Sequence, residues 1–308
     1  MMRTFLLIIF LAFIMPATRA GAELFPYAPS ETVEGTVITH KVNHGESLIE
    51  LARKFGLGYN EIVDANPGLD PFVPGDGVVV TIPTSWILPD VESPEGIFIN
   101  LSEFRLYYFF GQNGARFVET FPIGIGSEGH DTPLGVFKVI EKIVNPAWHV
   151  PESIRLEKPE LPKVVPPGPD NPLGTHALRL SDPSILMHGT NRPFAVGRMA
   201  SHGCIRLYPE DIPRLFTLAP KGVSVTIVRQ PIKVGVKKER IFIEVHNDPK
   251  AGSTFIDAVN LLRRKGLLAR ANLQRISEAL EKKDGTPTDI TEYPYGAPSF
   301  FAARGPIE

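Results

Sequence analysis

Residues 188–206 have the sequence HGTNRPFAVGRMASHGCIR, the densest group of chemically reactive side chains in the chain. Cys204 is the single cysteine among 308 residues. A thiol with an ordinary pKa is only slightly ionised at neutral pH, so it needs a nearby imidazole to take its proton before it can act as a nucleophile. Because this stretch also contains His188 and His202, it indicates nucleophilic catalysis by Cys204 with a histidine as base.

The residues beside Cys204 provide the other groups that attack on an amide carbonyl requires. Such attack creates an oxyanion, and a tight turn through His202 and Gly203 can present successive backbone N–H donors because glycine lets the chain bend closely. Arg206 is suited to pair with a carboxylate through two parallel hydrogen bonds. Spacing alone leaves the base open: His202 is two residues from the thiol, whereas His188 ends a predicted strand and can approach from a neighbouring one.

The surrounding sequence is rich in β-branched and aromatic residues, which predicts a mainly β domain of sandwich-like or barrel-like form over residues 96–229. One helix is predicted at Pro209–Leu218. Between the strands, Asn145–His176 contains eight prolines and no clear periodicity. A loop of that length is usually functional or disordered, and we interpret it, with Trp148, as a lid over the cysteine. The predicted strands are Ile97–Leu101, Arg105–Phe110, Phe117–Ile123, Gly135–Ile140, Ala177–Leu180, Ile185–His188 and Val223–Val228.

Residues 38–83 form a small α+β module in this interpretation, with the order strand, helix, helix, strand. Ser47 with Glu50 is typical of a capping box, and the apolar residues that follow recur at helical spacing. The proline-containing segment 84–95 is predicted to be a linker.

The two ends of the chain differ from the middle. Residues 1–22 have a basic start, a short apolar run and the small residues Ala20 and Ala22, which predicts a cleaved signal peptide and export. In residues 230–308 we predict a β-hairpin, then helix formers with a break at Gly266, then about 25 poorly ordered residues. The net charge of -2 gives no electrostatic case for a nucleic-acid partner.

Residues 96–229 resemble the YkuD-type L,D-transpeptidase catalytic domain. The family motif consists of a histidine followed, after a gap, by Ser-His-Gly-Cys, an apolar residue and Arg. This motif is complete here from His188 to Arg206. Residues 122–124, 132–135 and 171–174 are similar to the same family, and residues 38–83 resemble the lysin motif (LysM). Together with the predicted signal peptide, these features resemble the ErfK/YbiS subgroup of Gram-negative bacteria.

The resemblance implies a periplasmic enzyme of cell-wall biogenesis that uses no metal and no cofactor. Cys204 is then the nucleophile and His188 the base, with Gly189 orienting His188 through its carbonyl. The backbone of His202, Gly203 and Cys204 forms the oxyanion hole, and Arg206 and Ser201 contact substrate. The implied donor is a peptidoglycan tetrapeptide stem, the implied acceptor is a second stem or the lysine of an outer-membrane lipoprotein, and the LysM module binds glycan.

Three alternatives stay open at this point. Water can resolve the same acyl-enzyme, which would make the chain a hydrolase of the linkage. A wall-binding protein without catalysis would make Cys204 incidental. A zinc peptidase using His188, His202 and Cys204 has legitimate ligand types but no His-Glu-x-x-His motif. His149 and His176 have no motif support and are interpreted as surface or loop residues.

Overall fold

A computed structural model describes residues 23–293, so the predicted signal peptide lies outside the described residues. Within that range the α-helices are α1 Leu48–Lys54, α2 Tyr59–Asp64, α3 Glu152–Glu157, α4 Asp211–Leu218, α5 Phe255–Arg264 and α6 Leu273–Lys282, with 3-10 turns at Pro193–Ala195 and Leu268–Arg270. The strands are β1 Glu23–Pro26, β2 Val33–Gly35, β3 Ile38–Lys41, β4 Val79–Ile82, β5 Ser85–Ile87, β6 Gly96–Asn100, β7 Arg105–Gln112, β8 Ala115–Pro122, β9 Ile125–Gly126, β10 Gly135–Val144, β11 Trp148–His149, β12 Val164–Val165, β13 His176–Leu180, β14 Leu186–His188, β15 Met199–Ser201, β16 Ile205–Arg206, β17 Ser224–Val228, β18 Ile232–Lys237, β19 Arg240–Val245 and β20 Thr288–Asp289.

A curled nine-stranded sheet dominates the described residues, in the order β1-β8-β7-β6-β17-β10-β13-β14-β16. Neighbouring strands are antiparallel except for the parallel pairs β6–β17 and β14–β16. The sheet curls because its last strand returns to its first half: Arg206 in β16 forms a bridge with Gly124, two residues after the end of β8. The predicted mainly β, barrel-like fold is therefore confirmed.

The two faces of the sheet enter different cores, as the period of two in a strand requires. In β7, Leu106 and Tyr108 point into the core enclosed by the curled sheet, which also contains buried residues of β14, β16 and α4. Tyr107 and Phe109 alternate with them and pack against the strand–helix–helix–strand module. One strand thus joins the core of the curled sheet to the module.

The module has the predicted order of elements, β3-α1-α2-β4, and Ser47 makes the predicted capping box with Glu50. It contacts the loop that precedes the Ser-His-Gly-Cys motif: the Tyr59 N–H donates to the Val196 carbonyl at 3.1 Å, and the Arg198 guanidinium lies 3.5 Å from the centre of the Tyr59 ring.

The prediction of a linker at residues 84–95 is wrong for its first part. Strand β5 pairs with β2, and Trp86, Ile87 and Leu88 are buried. Burial of these large apolar side chains stabilises the packed conformation of the segment. That stabilisation explains why the segment pairs as a strand although prolines lie nearby.

The C-terminal part forms the predicted hairpin, β18–β19, and two helices separated around Gly266. The prediction of about 25 poorly ordered final residues is wrong as far as Tyr293, because β20 pairs with β19 and Ile290 is fully buried. Residues 294–308 lie outside the described part of the chain. None of the helices within residues 23–293 has the length and apolar character needed to cross a membrane.

Candidate active site

The pairing of two adjacent strands sets the positions of His188 and Cys204. Strand β14 pairs in parallel with β16, so that Met187 lies beside Ile205 and His188 beside Arg206. Met187 and Ile205 are fully buried in the core. Because side chains alternate along a strand, Cys204, Arg206 and His188 lie on the opposite face, with Cys204 one step before β16.

The His188 ring is buried, and its Nδ1 lies 2.6 Å from the carbonyl oxygen of Gly189. A carbonyl oxygen only accepts, so Nδ1 carries the proton and Nε2 keeps its lone pair. Burial lowers the pKa of His188 to about 4. The hydrogen bond to Gly189 raises this pKa, and the positive charge of Arg206 lowers it further. At neutral pH His188 is therefore an uncharged imidazole able to accept a proton at Nε2.

Cys204 is half-buried, and its thiol donates to the Ser184 carbonyl at 3.7 Å. Burial raises the pKa of the Cys204 thiol, although a hydrogen bond from the Leu186 backbone and the charges of Arg206 and Arg179 favour the thiolate. Thiol and imidazole are thus both neutral at rest, which favours proton transfer during attack over a preformed ion pair.

Hydroxyl groups fix the loop that carries Cys204. Ser201 is buried and donates a 2.5 Å hydrogen bond to the Cys204 carbonyl. Thr132 donates to the Gly203 carbonyl at 3.0 Å and accepts from the Gly126 N–H at 2.9 Å. Gly203 has a φ of 96°, a left-handed conformation that favours glycine.

The turn leaves backbone donors free. Neither the Gly203 N–H nor the Cys204 N–H donates a hydrogen bond within the described part of the chain. Two adjacent N–H groups held by a rigid loop are what a developing oxyanion requires.

Arg206 lies on the same face as the thiol and is partly buried, and burial lowers its pKa. Its Nε is buried with no hydrogen-bond partner among residues 23–293. Its main chain, by contrast, exchanges two hydrogen bonds with Gly124, at 2.8 and 2.9 Å. The backbone therefore fixes the strand while the guanidinium keeps donors for another group.

His202 contacts other residues than the thiol: its Nε2 lies 3.3 Å from Glu157, and its ring centre lies 4.3 Å from that of His130. Two groups of three His, Cys, Asp or Glu residues bring their ligand atoms within 4.8 Å of one another in residues 23–293. One is His130, Glu157 and His202, and the other is the buried set Glu103, Glu244 and His246. His188, His202 and Cys204 are not such a group, which argues against the zinc-peptidase alternative.

The proline-rich segment 145–176 contains short regular elements: β11 pairs with β12, and α3 lies between them. Asn171 anchors the segment, since its buried side-chain amide donates to the carbonyls of Pro146, Val165 and Pro166. Trp148 pairs with Val165, and the lid over Cys204 stays a prediction. His149 is exposed and His176 begins β13.

Sequence reasoning missed the residues that support the site from a distance along the chain. Ser127 donates its N–H and its hydroxyl to the Ser201 carbonyl, at 2.8 and 3.0 Å. Thr132 belongs to a stretch similar to the family, and that similarity was the available signal for its importance. Glu157 had no local signal at all, because only the fold brings α3 to His202.

Known proteins are similar to this chain over most of its length. The YkuD family, an L,D-transpeptidase catalytic domain, matches residues 94–227. The probable L,D-transpeptidase YcfS of Escherichia coli K12 is 37% identical over 311 residues, which cover 92% of this chain and 93% of that protein. The probable L,D-transpeptidase YbiS of the same strain is 40% identical over 220 residues, covering 70% and 71%. The probable L,D-transpeptidase ErfK/SrfK of Salmonella typhimurium is 34% identical over 263 residues, covering 81% and 84%.

Proposed function

The chain belongs to the L,D-transpeptidase family with a YkuD catalytic domain, and from this premise we propose that Cys204 and His188 carry out acyl transfer on peptidoglycan stem peptides. The observation that carries the proposal is the parallel pairing of β14 with β16, which sets the His188 imidazole and the Cys204 thiol on one face of the sheet. The Nδ1–H bond to Gly189 directs the basic Nε2 lone pair away from that carbonyl.

In the first half of the reaction, His188 Nε2 takes the thiol proton as the sulfur of Cys204 attacks the carbonyl carbon of the L,D-amide in a tetrapeptide stem. The carbonyl oxygen gains negative charge and accepts hydrogen bonds from the Gly203 and Cys204 N–H groups. The imidazolium then gives its proton to the leaving nitrogen, the C–N bond breaks, and the terminal D-amino acid departs. A thioester on Cys204 remains.

In the second half, an acceptor amine attacks the thioester carbon and loses a proton to His188, after which the C–S bond breaks and the sulfur regains the proton. Arg206 binds a carboxylate of the stem peptide through its unpaired donors. Ser201 is buried against the Cys204 carbonyl, so we assign it to positioning the loop and not to substrate contact.

The acceptor and the location belong to the same proposal. We propose the lysine of an outer-membrane lipoprotein as acceptor, ahead of a second stem peptide, with hydrolysis as the competing outcome. The βααβ module at residues 38–83 is proposed to bind glycan as a LysM domain. Export by residues 1–22 to the periplasm supplies both substrates.

The decisive experiment compares the wild-type protein with Cys204→Ala on tetrapeptide muropeptides, with and without a lysine-ended peptide, read by mass spectrometry. We expect D-alanine release and a crosslinked or lysine-linked product from the wild type only. Intact-mass analysis after a carbapenem should show one covalent adduct that Cys204→Ala lacks. Identical products from both proteins, or no adduct on the wild type, would leave a wall-binding protein without catalysis.

A further inference from the structure

Three side chains from distant parts of the sequence meet beside the loop that carries Cys204. Nε2 of His202 lies 3.3 Å from one oxygen of the Glu157 carboxylate, and Nε2 of His130 lies 3.7 Å from the other. The three ligand atoms all lie within 4.8 Å of one another. The side chains are between about one-third and one-half exposed, so solvent and a small ion have access.

These distances fit a shared cation better than two strong hydrogen bonds. An N–H···O bond normally measures about 2.7–3.2 Å, and both contacts exceed that range. Zinc binds imidazole nitrogen and carboxylate oxygen at about 2.0–2.2 Å in tetrahedral geometry, which places neighbouring ligand atoms about 3.3 Å apart. Two imidazoles and one carboxylate are moreover a legitimate zinc ligand set, with water in the fourth position.

Two of the three ligands stand on loops that are fixed to each other. Ser127 joins them: its carbonyl accepts from the His130 N–H at 2.9 Å, while its own N–H donates to the carbonyl of Ser201, the neighbour of His202. Thr132 provides a second link by its bonds to Gly126 and Gly203. Because these loops are held together, the two imidazoles are preorganised and binding costs little ordering of the backbone.

The third ligand stands on a different element. Glu157 is the last residue of α3, in the proline-rich segment, and the helix packs into the protein through the buried Ile154. A cation between Glu157 and the two histidines therefore joins α3 to the loop that carries the nucleophile.

We propose that His130, Glu157 and His202 form a zinc site that ties helix α3 to the Cys204 loop. The site takes no part in the thiol chemistry, and its ligands exclude Cys204 and His188. It gives the cell-wall enzyme a point at which a divalent cation restrains the segment 145–176 next to the nucleophile.

Zinc binding is tested in the full chain with Cys204→Ala as background, because a free thiol is itself a zinc ligand. Titration of Zn²⁺ against a chromophoric chelator should give one site per chain, with the same affinity in wild type and Cys204→Ala. His130→Ala and Glu157→Gln should each weaken binding by about tenfold or more, which corresponds to about 1.4 kcal/mol. His149→Ala and His176→Ala are matched controls and should bind as the background does.

A second measurement, the Co²⁺ spectrum, does not depend on the ligand variants folding. Co²⁺ added to the Cys204→Ala protein should give the intense visible absorption of a four-coordinate site without a thiolate band. Hydrogen exchange at residues 152–158 should slow when Zn²⁺ is added, and Glu157→Gln should abolish that protection.

Several results would overturn the zinc site. Equal affinity in His130→Ala and the background would do so, as would loss of binding on replacing Cys204 alone or a weak six-coordinate Co²⁺ spectrum. Because the ligand variants and the Co²⁺ spectrum are measured in a protein without the thiol, failure of the zinc site is distinguishable from failure of the proposed transpeptidase reaction.

Discussion

Nδ1 of His188 lies 2.6 Å from the carbonyl oxygen of Gly189, its own neighbour in the chain. A base normally receives its orientation from a separate acidic residue, whereas here the peptide bond that follows the histidine does so. The contact fixes the tautomer without adding a negative charge. It therefore leaves the pKa of the ring governed by burial, and that pKa falls to about 4.

The protonation state of His188 is a direct prediction of this contact. At pH 6 to 7 we expect a neutral ring with its proton on Nδ1, seen in nitrogen–proton correlation spectra of the free enzyme. His188→Gln should lose D-alanine release while keeping the fold, because an amide cannot accept the thiol proton as a base. A doubly protonated His188 at pH 6 would contradict the prediction.

The same pKa predicts how stability depends on pH. The ordinary pKa of 6.5 applies to unfolded His188 and about 4 to the folded protein, so between these values the unfolded chain binds more protons. His188 therefore contributes stability that is fully present above pH 6.5 and is lost as pH falls toward 4. Relative to His188→Gln, the free energy of unfolding should fall by at most about 1.4 kcal/mol per pH unit in this window.

Urea unfolding of both proteins at several pH values measures this difference. The comparison cancels other groups that titrate here, including Asp64, whose pKa burial raises to about 6. Parallel pH profiles of the two proteins would show that His188 has an ordinary pKa after all.

Ser201→Ala tests the support beneath the nucleophile. The substitution leaves the partly buried Cys204 carbonyl without its 2.5 Å hydrogen bond, at a cost of about 1–3 kcal/mol in the free energy of unfolding. Because the carbonyl belongs to the nucleophile itself, kcat should fall by up to about 100-fold with a smaller change in KM. Ser277→Ala on the exposed face of α6 is the matched control and should change neither quantity. Unchanged kcat in Ser201→Ala would remove Ser201 from the positioning role.

The attachment of the βααβ module to the catalytic sheet predicts a contrast between two ion pairs. Arg105 of β7 and Glu61 of α2 form a buried bidentate pair, at 2.9 and 2.8 Å. Glu61→Gln leaves Arg105 as a buried charge with weakened pairing and should cost about 3–5 kcal/mol. Arg53 and Glu210 also join the module to the catalytic domain, but they are partly exposed, so Glu210→Gln should cost about 1 kcal/mol or less.

Thermal unfolding of both variants checks this contrast. An equal, small effect would mean that the module is only loosely attached to the catalytic sheet.

The sequence by itself predicted the candidate chemistry and most of the β-rich frame. Cys204, the glycine beside it and the flanking histidines could be recognised because reactive residue types at short spacing carry local information. The β-branched and aromatic content predicted the strands of the curled sheet. Local patterns failed at Trp86, where burial against a distant core outweighed the prolines nearby.

Only the tertiary structure decided which histidine faces the thiol. Parallel pairing of β14 with β16 brings His188 to the face of Cys204, while His202, two residues away in sequence, meets Glu157, 45 residues away. Such pairings depend on the register of strands and on packing between elements that are far apart in the chain. Neither is encoded in the spacing of residues along a single segment, which is why spacing alone left the base open and why the support from Ser127 and the cluster at His130 emerged only from the fold.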